Sequence, residues 1–307
     1  MRLSILIGAE AVGIPRSPAE VVREAVAAEA AGFTSAWCTH FSRGIDSLTT
    51  LSAAAASTSA IELGVGVIPS YPRHPAALAQ AAATVQSLAA GRLVLGVGVS
   101  HRPVIEGMHG LDYSDQLGHL REYLTVLGEL LDGGSSSFQG DYYRVDAAIT
   151  VPETLPVPVV VGALGPKMSS LAGELCSGVT TWLAGPRSLT EVVVPAVTAG
   201  AARSGRSAPR VVAAVPVAVD DDLSRARDVA VQTFSRYRQL PNYQRLFERE
   251  GIEGPEDVAL LGSAEQVRSG LERLIASGAT DVWAVPFDTG IGIEGTYRLL
   301  AELASSA

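Results

Sequence analysis

The sequence predicts an α/β protein, a closed (β/α)8 TIM barrel with insertions at its C-terminal mouth, and three observations carry that prediction. Eight short strand-like runs alternate with about eight helical segments. Almost every strand run is continuously apolar, as expected of a parallel sheet covered on both faces. The turn after the first run, Ile7–Gly13, reads IGAEAVG. It lacks the Gly-x-Gly-x-x-Gly that would favour the structural alternative, a doubly wound sheet.

The elements follow in order. Leu3–Ile7 is a five-residue apolar run, too short for the apolar core of a secretory leader and ample for a buried strand. Ser17-Pro18 opens a helix over Ala19–Ala31, with serine as cap, proline in the first turn and Gly32 as the stop. Strands at Ser35–Thr39, Glu62–Ile68 and Leu93–Val97 alternate with helices at Leu48–Ser59 and Ala76–Ala90, the latter entered through Pro75. The later strands are Val157–Val161, Gly178–Trp182, Val211–Val217 and Asp281–Val285. Helices at Lys167–Cys176, Leu189–Ser204, Ala264–Ser277 (Ser263 as cap, Gly278 as stop) and Gly295–Ala304 complete the repeat.

Two stretches exceed the repeat of this single domain, which spans 1–307. Residues 100–151 hold a helix, Gln116–Leu131, and then SSSFQGDYYRVDAAI, which alternates like a hairpin around Gly140-Asp141. Residues 220–262 hold a helix from Asp222 to Arg238, a break at Pro241 and a short helix to Glu250. In a barrel such insertions belong over the C-terminal strand ends, where lids and pockets form.

Composition narrows the function. With 47% hydrophobic and 18% charged residues, a large core is supplied and global disorder excluded. A net charge of −9 argues against a nucleic-acid partner. No run approaches the roughly 18 apolar residues of a membrane span. Cys38 and Cys176 stand alone in apolar contexts and read as buried thiols in a reducing compartment, so a cytoplasmic location is expected. The five histidines are scattered, which gives no support for a metal site, and no Gly-x-Ser-x-Gly elbow marks a serine hydrolase.

Several strand ends carry candidate chemistry. In Gly91–Arg121 a buried strand runs into a glycine-punctuated loop with Gly98, Ser100, His101 and Arg102. A cation delivered to a strand's C-terminal end prepares a site for an anion. After the fifth barrel strand, Gly162-Ala163-Leu164-Gly165-Pro166-Lys167 enters a helix through proline, leaving amide N–H groups free and a lysine beside them. His40 follows the second strand. The third ends GVGVIPSYPRHP, whose small residues let the backbone approach a flat ligand. Gly185-Pro186 follows the sixth.

The segments Gly91–Arg121 and Leu164–Pro186, read with their flanks, resemble the luciferase-like monooxygenase superfamily, most nearly the branch that uses the deazaflavin coenzyme F420. The resemblance covers nearly the whole chain. It implies hydride transfer between the deazaflavin C5 and a small-molecule substrate, with His40 as general acid/base near the substrate or as a positioning contact to the ring; the acidic residue often found before this histidine is Thr39 here. It implies a non-proline cis peptide at Gly66-Val67 against the ring. It implies that Ser100, His101 and Arg102 share the cofactor phosphate with Gly162, Ala163, Leu164, Gly165 and Lys167, near Gly98, and that the ring or ribityl chain passes Gly185. The segment Phe234–Gly251 resembles the same branch, contacting a polyglutamate tail or covering the substrate; a solvated amphipathic helix explains its charges equally well. A homodimer is expected on the same ground. Two other readings stay open: an FMN-dependent monooxygenase on this scaffold, and a non-catalytic flavin-binding barrel.

Overall fold

Eight parallel strands close on themselves in the computed structural model, which describes residues 2–306. They are β1 (Arg2–Leu6), β2 (Ser35–Cys38), β3 (Glu62–Pro69), β4 (Leu93–Gly98), β5 (Val159–Gly162), β6 (Gly178–Trp182), β7 (Arg210–Val219) and β8 (Asp281–Pro286). Each pairs with its sequence neighbour, and β8 returns to β1 with Arg2 opposite Asp281. A short strand, Leu260–Gly262, adds to β7 outside the ring. This is the predicted (β/α)8 barrel, and each strand lies within two residues of its expected bounds.

Two apolar layers hold it. Outward residues such as Leu3, Ile5, Leu63, Val65, Leu95 and Val179 pack under the helices. A smaller cluster with Trp37, Val94, Val160, Val212, Ala214 and Trp283 fills the barrel interior. The two indoles lie 5.4 Å apart, and glycines on β3 make room for them. A Cβ at Gly64 would come within 2.2 Å of Trp37, and one at Gly66 within 2.5 Å of Trp283. The glycines expected to admit a flat ligand therefore serve first to pack the barrel's own tryptophans.

At the opposite end from the mouth, the first residues of four strands form an ion-pair ring. Arg210 joins Glu62 at 2.7 Å and Asp281 at 2.6 Å, and Arg2 joins the same two carboxylates.

Local signals explain most helix ends. Ser17 and Ser263 each form a full capping box, with Glu20 and Gln266 reaching back. The insertion after β4 contains a helix, Gln116–Gly133, and an antiparallel hairpin of Ser135–Gln139 with Arg144–Ala148. The insertion after β7 differs slightly from expectation. Its first helix ends at Phe234, a 3-10 turn covers Ser235–Gln239, and Pro241 opens the next helix, Pro241–Glu250. A proline has no N–H to give and holds Leu240 extended (φ −93°, ψ 121°), so the first helix must unwind ahead of it. Both cysteines are free and buried, and burial pushes their thiols up to about 12. No described helix is long and apolar enough to cross a membrane.

Candidate active site at the barrel mouth

His40 lies two residues past β2, half-buried. Its Nδ1 is 2.9 Å from the hydroxyl of Ser47, which is fully buried in the first turn of the next helix, and the Ser47 backbone N–H approaches the same nitrogen at 3.4 Å. Asp46 caps that helix and pairs with Arg73 at 2.5 Å. Burial, with the Arg73 charge second to it among the lowering causes, holds the His40 ring below its usual 6.5 against the pull of Asp46. The ring is therefore neutral at pH 7, anchored through Nδ1 and with no protein hydrogen bond at Nε2 among the described residues. The Ser47 hydroxyl can donate to Nδ1 or accept from it, whereas the Ser47 backbone N–H can only donate, which favours the neutral tautomer with its proton on Nε2.

Next around the mouth, the peptide between Gly66 and Val67 is cis. The pairing of β3 with β4 slips between Val65 and Ile68, and the extra residue forms a bulge. Val67 lies in a hollow that glycines leave open. A Cβ at Gly98 would sit 2.5 Å from its Cγ2, and one at Gly162 would sit 3.3 Å from both methyl groups. The structure thus gathers Gly66, Val67, Gly98 and Gly162 into one recess. Gly98→Ala is expected to destabilise the fold by about 1–3 kcal/mol through overpacking, read from urea unfolding.

The remaining predicted residues divide. Ser100 adopts a left-handed conformation (φ 61°), and its carbonyl accepts from the Tyr113 hydroxyl at 2.7 Å. Leu164, Gly165 and Lys167 form the entry to the helix Pro166–Leu175. Gly165 is its uncapped N-cap residue, a Cβ there would meet open space, and Lys167 is exposed with no ion pair among the described residues. Ala163 is buried, its N–H donating to Thr180. Arg102 is turned to its own helix, paired with Glu106 and lying 5.5 Å over the Tyr113 ring. His101 does not cap the helix it precedes; its ring faces Tyr243 of the second insertion at 6.0 Å. Burial first, then the charge of Arg236, lowers its pKa. At Gly185 the Glu250 carboxylate occupies the helix entrance, accepting from Ser188 N–H at 2.6 Å. Gly185 and Glu250 also border an open groove of 640 Å³ that contains none of the other predicted site residues.

The sequence singles out Phe234–Gly251 as a cover for the substrate but not the contacts by which this insertion closes on the mouth. Phe234 and Tyr237 each meet Trp182 edge-on at 5.9 Å. Arg249 donates to the Leu164 carbonyl at 3.0 Å, and Arg236 donates to the Ala11 carbonyl at 3.1 Å. The first insertion adds a buried aromatic group: His119 stacks on Tyr71 at 3.8 Å and bonds the Tyr143 hydroxyl at 2.8 Å. Burial lowers the His119 pKa to about 4. These contacts join positions far apart in sequence, and no local spacing announces them.

With this geometry in place, similarity to known proteins is informative. The sequence matches the luciferase-like monooxygenase family over residues 1–281, and the chain belongs to that family and is an enzyme of it. It is 31% identical over 277 residues to an F420-dependent glucose-6-phosphate dehydrogenase of Nakamurella multipartita, covering 86% of this chain and 80% of the relative. It is 30% identical over 254 residues to a 5,10-methylenetetrahydromethanopterin reductase of Methanolobus tindarius, covering 82% and 77%. Its fold superposes with a TM-score of 0.82 on the coenzyme F420 dependent tetrahydromethanopterin reductase of Methanopyrus kandleri, at 24% identity and covering 98% and 97% of the two chains.

Proposed function

We propose that this enzyme is an F420-dependent oxidoreductase that moves a hydride between the deazaflavin ring and a small organic substrate at the barrel mouth. The observation that carries the reading is the bulge at Gly66-Val67, its valine seated over Gly98 and Gly162, beside the open turn at Gly165. The bulge offers Val67 as a support for a flat ring, and the turn offers backbone N–H groups and Lys167 to a phosphate. Named relatives that use F420 support the same cofactor.

Bound there, F420 supplies a two-electron hydride carrier at C5 that is poor at activating oxygen. The chain's residues do the rest. Val67 supports one face of the ring site. The Leu164–Lys167 turn holds the phosphate end, steadied by Arg249 on the Leu164 carbonyl. The aromatic residues of the second insertion, Phe234 and Tyr237, exclude water from the mouth. His40, held by Ser47, presents Nε2 to the substrate oxygen. For oxidation the ring takes the tautomer whose Nδ1–H is donated to the Ser47 hydroxyl, giving up the long contact from the Ser47 N–H, and Nε2 takes the substrate's hydroxyl proton; when a carbonyl is reduced, the protonated ring returns it.

Fluorescence titration of the purified protein with F420 and, in parallel, FMN tests the cofactor. Micromolar or tighter F420 binding with far weaker FMN binding is expected; preference for FMN overturns the reading. Gly165→Asp sharpens it. Gly165 has an extended N-cap conformation (φ −127°, ψ 162°) that suits aspartate, so the helix keeps its stability. The new carboxylate competes for the phosphate position, and F420 affinity is expected to fall at least about tenfold. Unchanged affinity rules this turn out as the phosphate site.

A further inference from the structure

We propose that Arg236 anchors an anionic group, a carboxylate or a phosphate, on the ligand that enters the mouth. The inference rests on the functional reading above for where the ligand reacts, and on the structure for what the ligand carries.

The arginines of one insertion differ in their partners. Arg225 pairs with Asp220 at 2.6 Å and Asp222 at 3.3 Å, Arg227 pairs with Asp257 at 2.5 Å, and Arg238 pairs with Glu256. Arg236, in the middle of this series, has no carboxylate within ion-pair distance among the described residues. Arg245 and Arg249 of the next helix also lack an acid. Arg236 and Arg245 are both exposed, but Arg245 has no hydrogen bond or aromatic contact that fixes it among the described residues, and Arg249 is committed to the Leu164 carbonyl.

Arg236 is held in place nonetheless. One nitrogen, Nη2, donates to the Ala11 carbonyl and to the Tyr237 hydroxyl, both at 3.1 Å. The guanidinium carbon lies 5.3 Å from the Phe41 ring centre and 4.9 Å from that of Tyr237. Aromatic faces attract a cation and fix its plane, but they do not neutralise its charge. Nε and Nη1 keep their N–H groups without a protein acceptor among the described residues. A planar edge of this kind matches two oxygens of a carboxylate or phosphate.

Its position points to the same role. Ala11 belongs to the loop after β1. Phe41 adjoins His40 after β2, and His101 after β4 feels the Arg236 charge. The free cation is thus braced by loops around the mouth, and one of its braces, Phe41, adjoins the proton-transfer group His40.

The anion has two possible bearers, the substrate or the cofactor's own phosphate and tail, and binding experiments separate them. Intrinsic tryptophan fluorescence reports the site, because Trp182 touches Tyr237. The probes are inorganic phosphate and succinate, titrated into the protein alone and into the F420-loaded protein. Saturable binding in the wild type is expected, with Kd raised at least about tenfold in Arg236→Gln and partly restored in Arg236→Lys. If the probes still bind the F420-loaded protein with the same Kd, and Arg236→Gln leaves F420 affinity intact, the anion is the substrate's. If F420 displaces the probes and Arg236→Gln weakens F420, it is the cofactor's. Absence of saturable binding in the wild type, or an Arg236→Gln titration that matches it, overturns the proposal. Failure of F420 to bind while the probes still respond to Arg236 would refute only the cofactor reading.

Discussion

Replacing His40 with alanine is expected to lower the rate of F420-dependent turnover by about 10²–10⁴-fold, the usual contribution of a positioned acid or base. F420 affinity should stay within about twofold, because the ring is tied to Ser47 and not to the recess of Val67, Gly98 and Gly162. The pH profile gives a second, independent sign. Burial depresses the His40 pKa below 6.5, with the Arg73 charge adding to it, so the ring is neutral at pH 7. In the oxidative direction the neutral ring is the competent base. The rate should therefore hold at neutral pH and fall as pH drops through a pKa below 6.5. In His40→Ala that acid limb disappears along with most of the rate. A variant that keeps its rate, or that loses rate but retains the limb, would assign the proton step to another group. His101, also neutral and also at the mouth, is the residue to test next.

The difference between what was legible and what was hidden follows from the range of the forces involved. The eight strands could be read because a parallel strand covered on both faces must be apolar throughout, and helix starts could be read because Ser17 and Ser263 cap within three residues of themselves. Arg102 was misleading in part because its charge was read without its own helix. Glu106, four residues on, takes the guanidinium, and that spacing was visible in the sequence. Gly185 shows the opposite case. Nothing near it in sequence announces Glu250, which folds back across 62 positions to accept from the Ser188 N–H. The same holds for Arg236, whose partners Ala11 and Phe41 come from loops near the other end of the chain, Ala11 being 225 positions away. The family resemblance placed the bulge at Gly66-Val67. What packs against it, a tryptophan pair below and two glycines beside, became visible only once the barrel closed.

Arg210→Met is expected to destabilise the protein by about 3 kcal/mol, at the lower end for breaking a buried ion pair, while F420 affinity remains unchanged. The cost comes from what the substitution leaves behind. Asp281 is 1% exposed and now loses bonds at 2.6 Å and 3.1 Å, retaining the half-exposed Arg2 and the Thr280 hydroxyl. Glu62, more accessible at 22%, can return to water and to Arg2. The asymmetry leads to a stronger test. If the penalty is the stranded carboxylate, the double replacement Arg210→Met with Asp281→Leu removes both members of the buried pair and should recover most of the loss. If instead Arg210 mainly contributes its packing over the Trp37 ring, 5.7 Å away, the double variant should be no better than the single one. Urea unfolding of the wild type, both singles and the double distinguishes these outcomes. F420 binding should be indifferent throughout, since these residues begin their strands at the end of the barrel away from the mouth, where side chains serve stability.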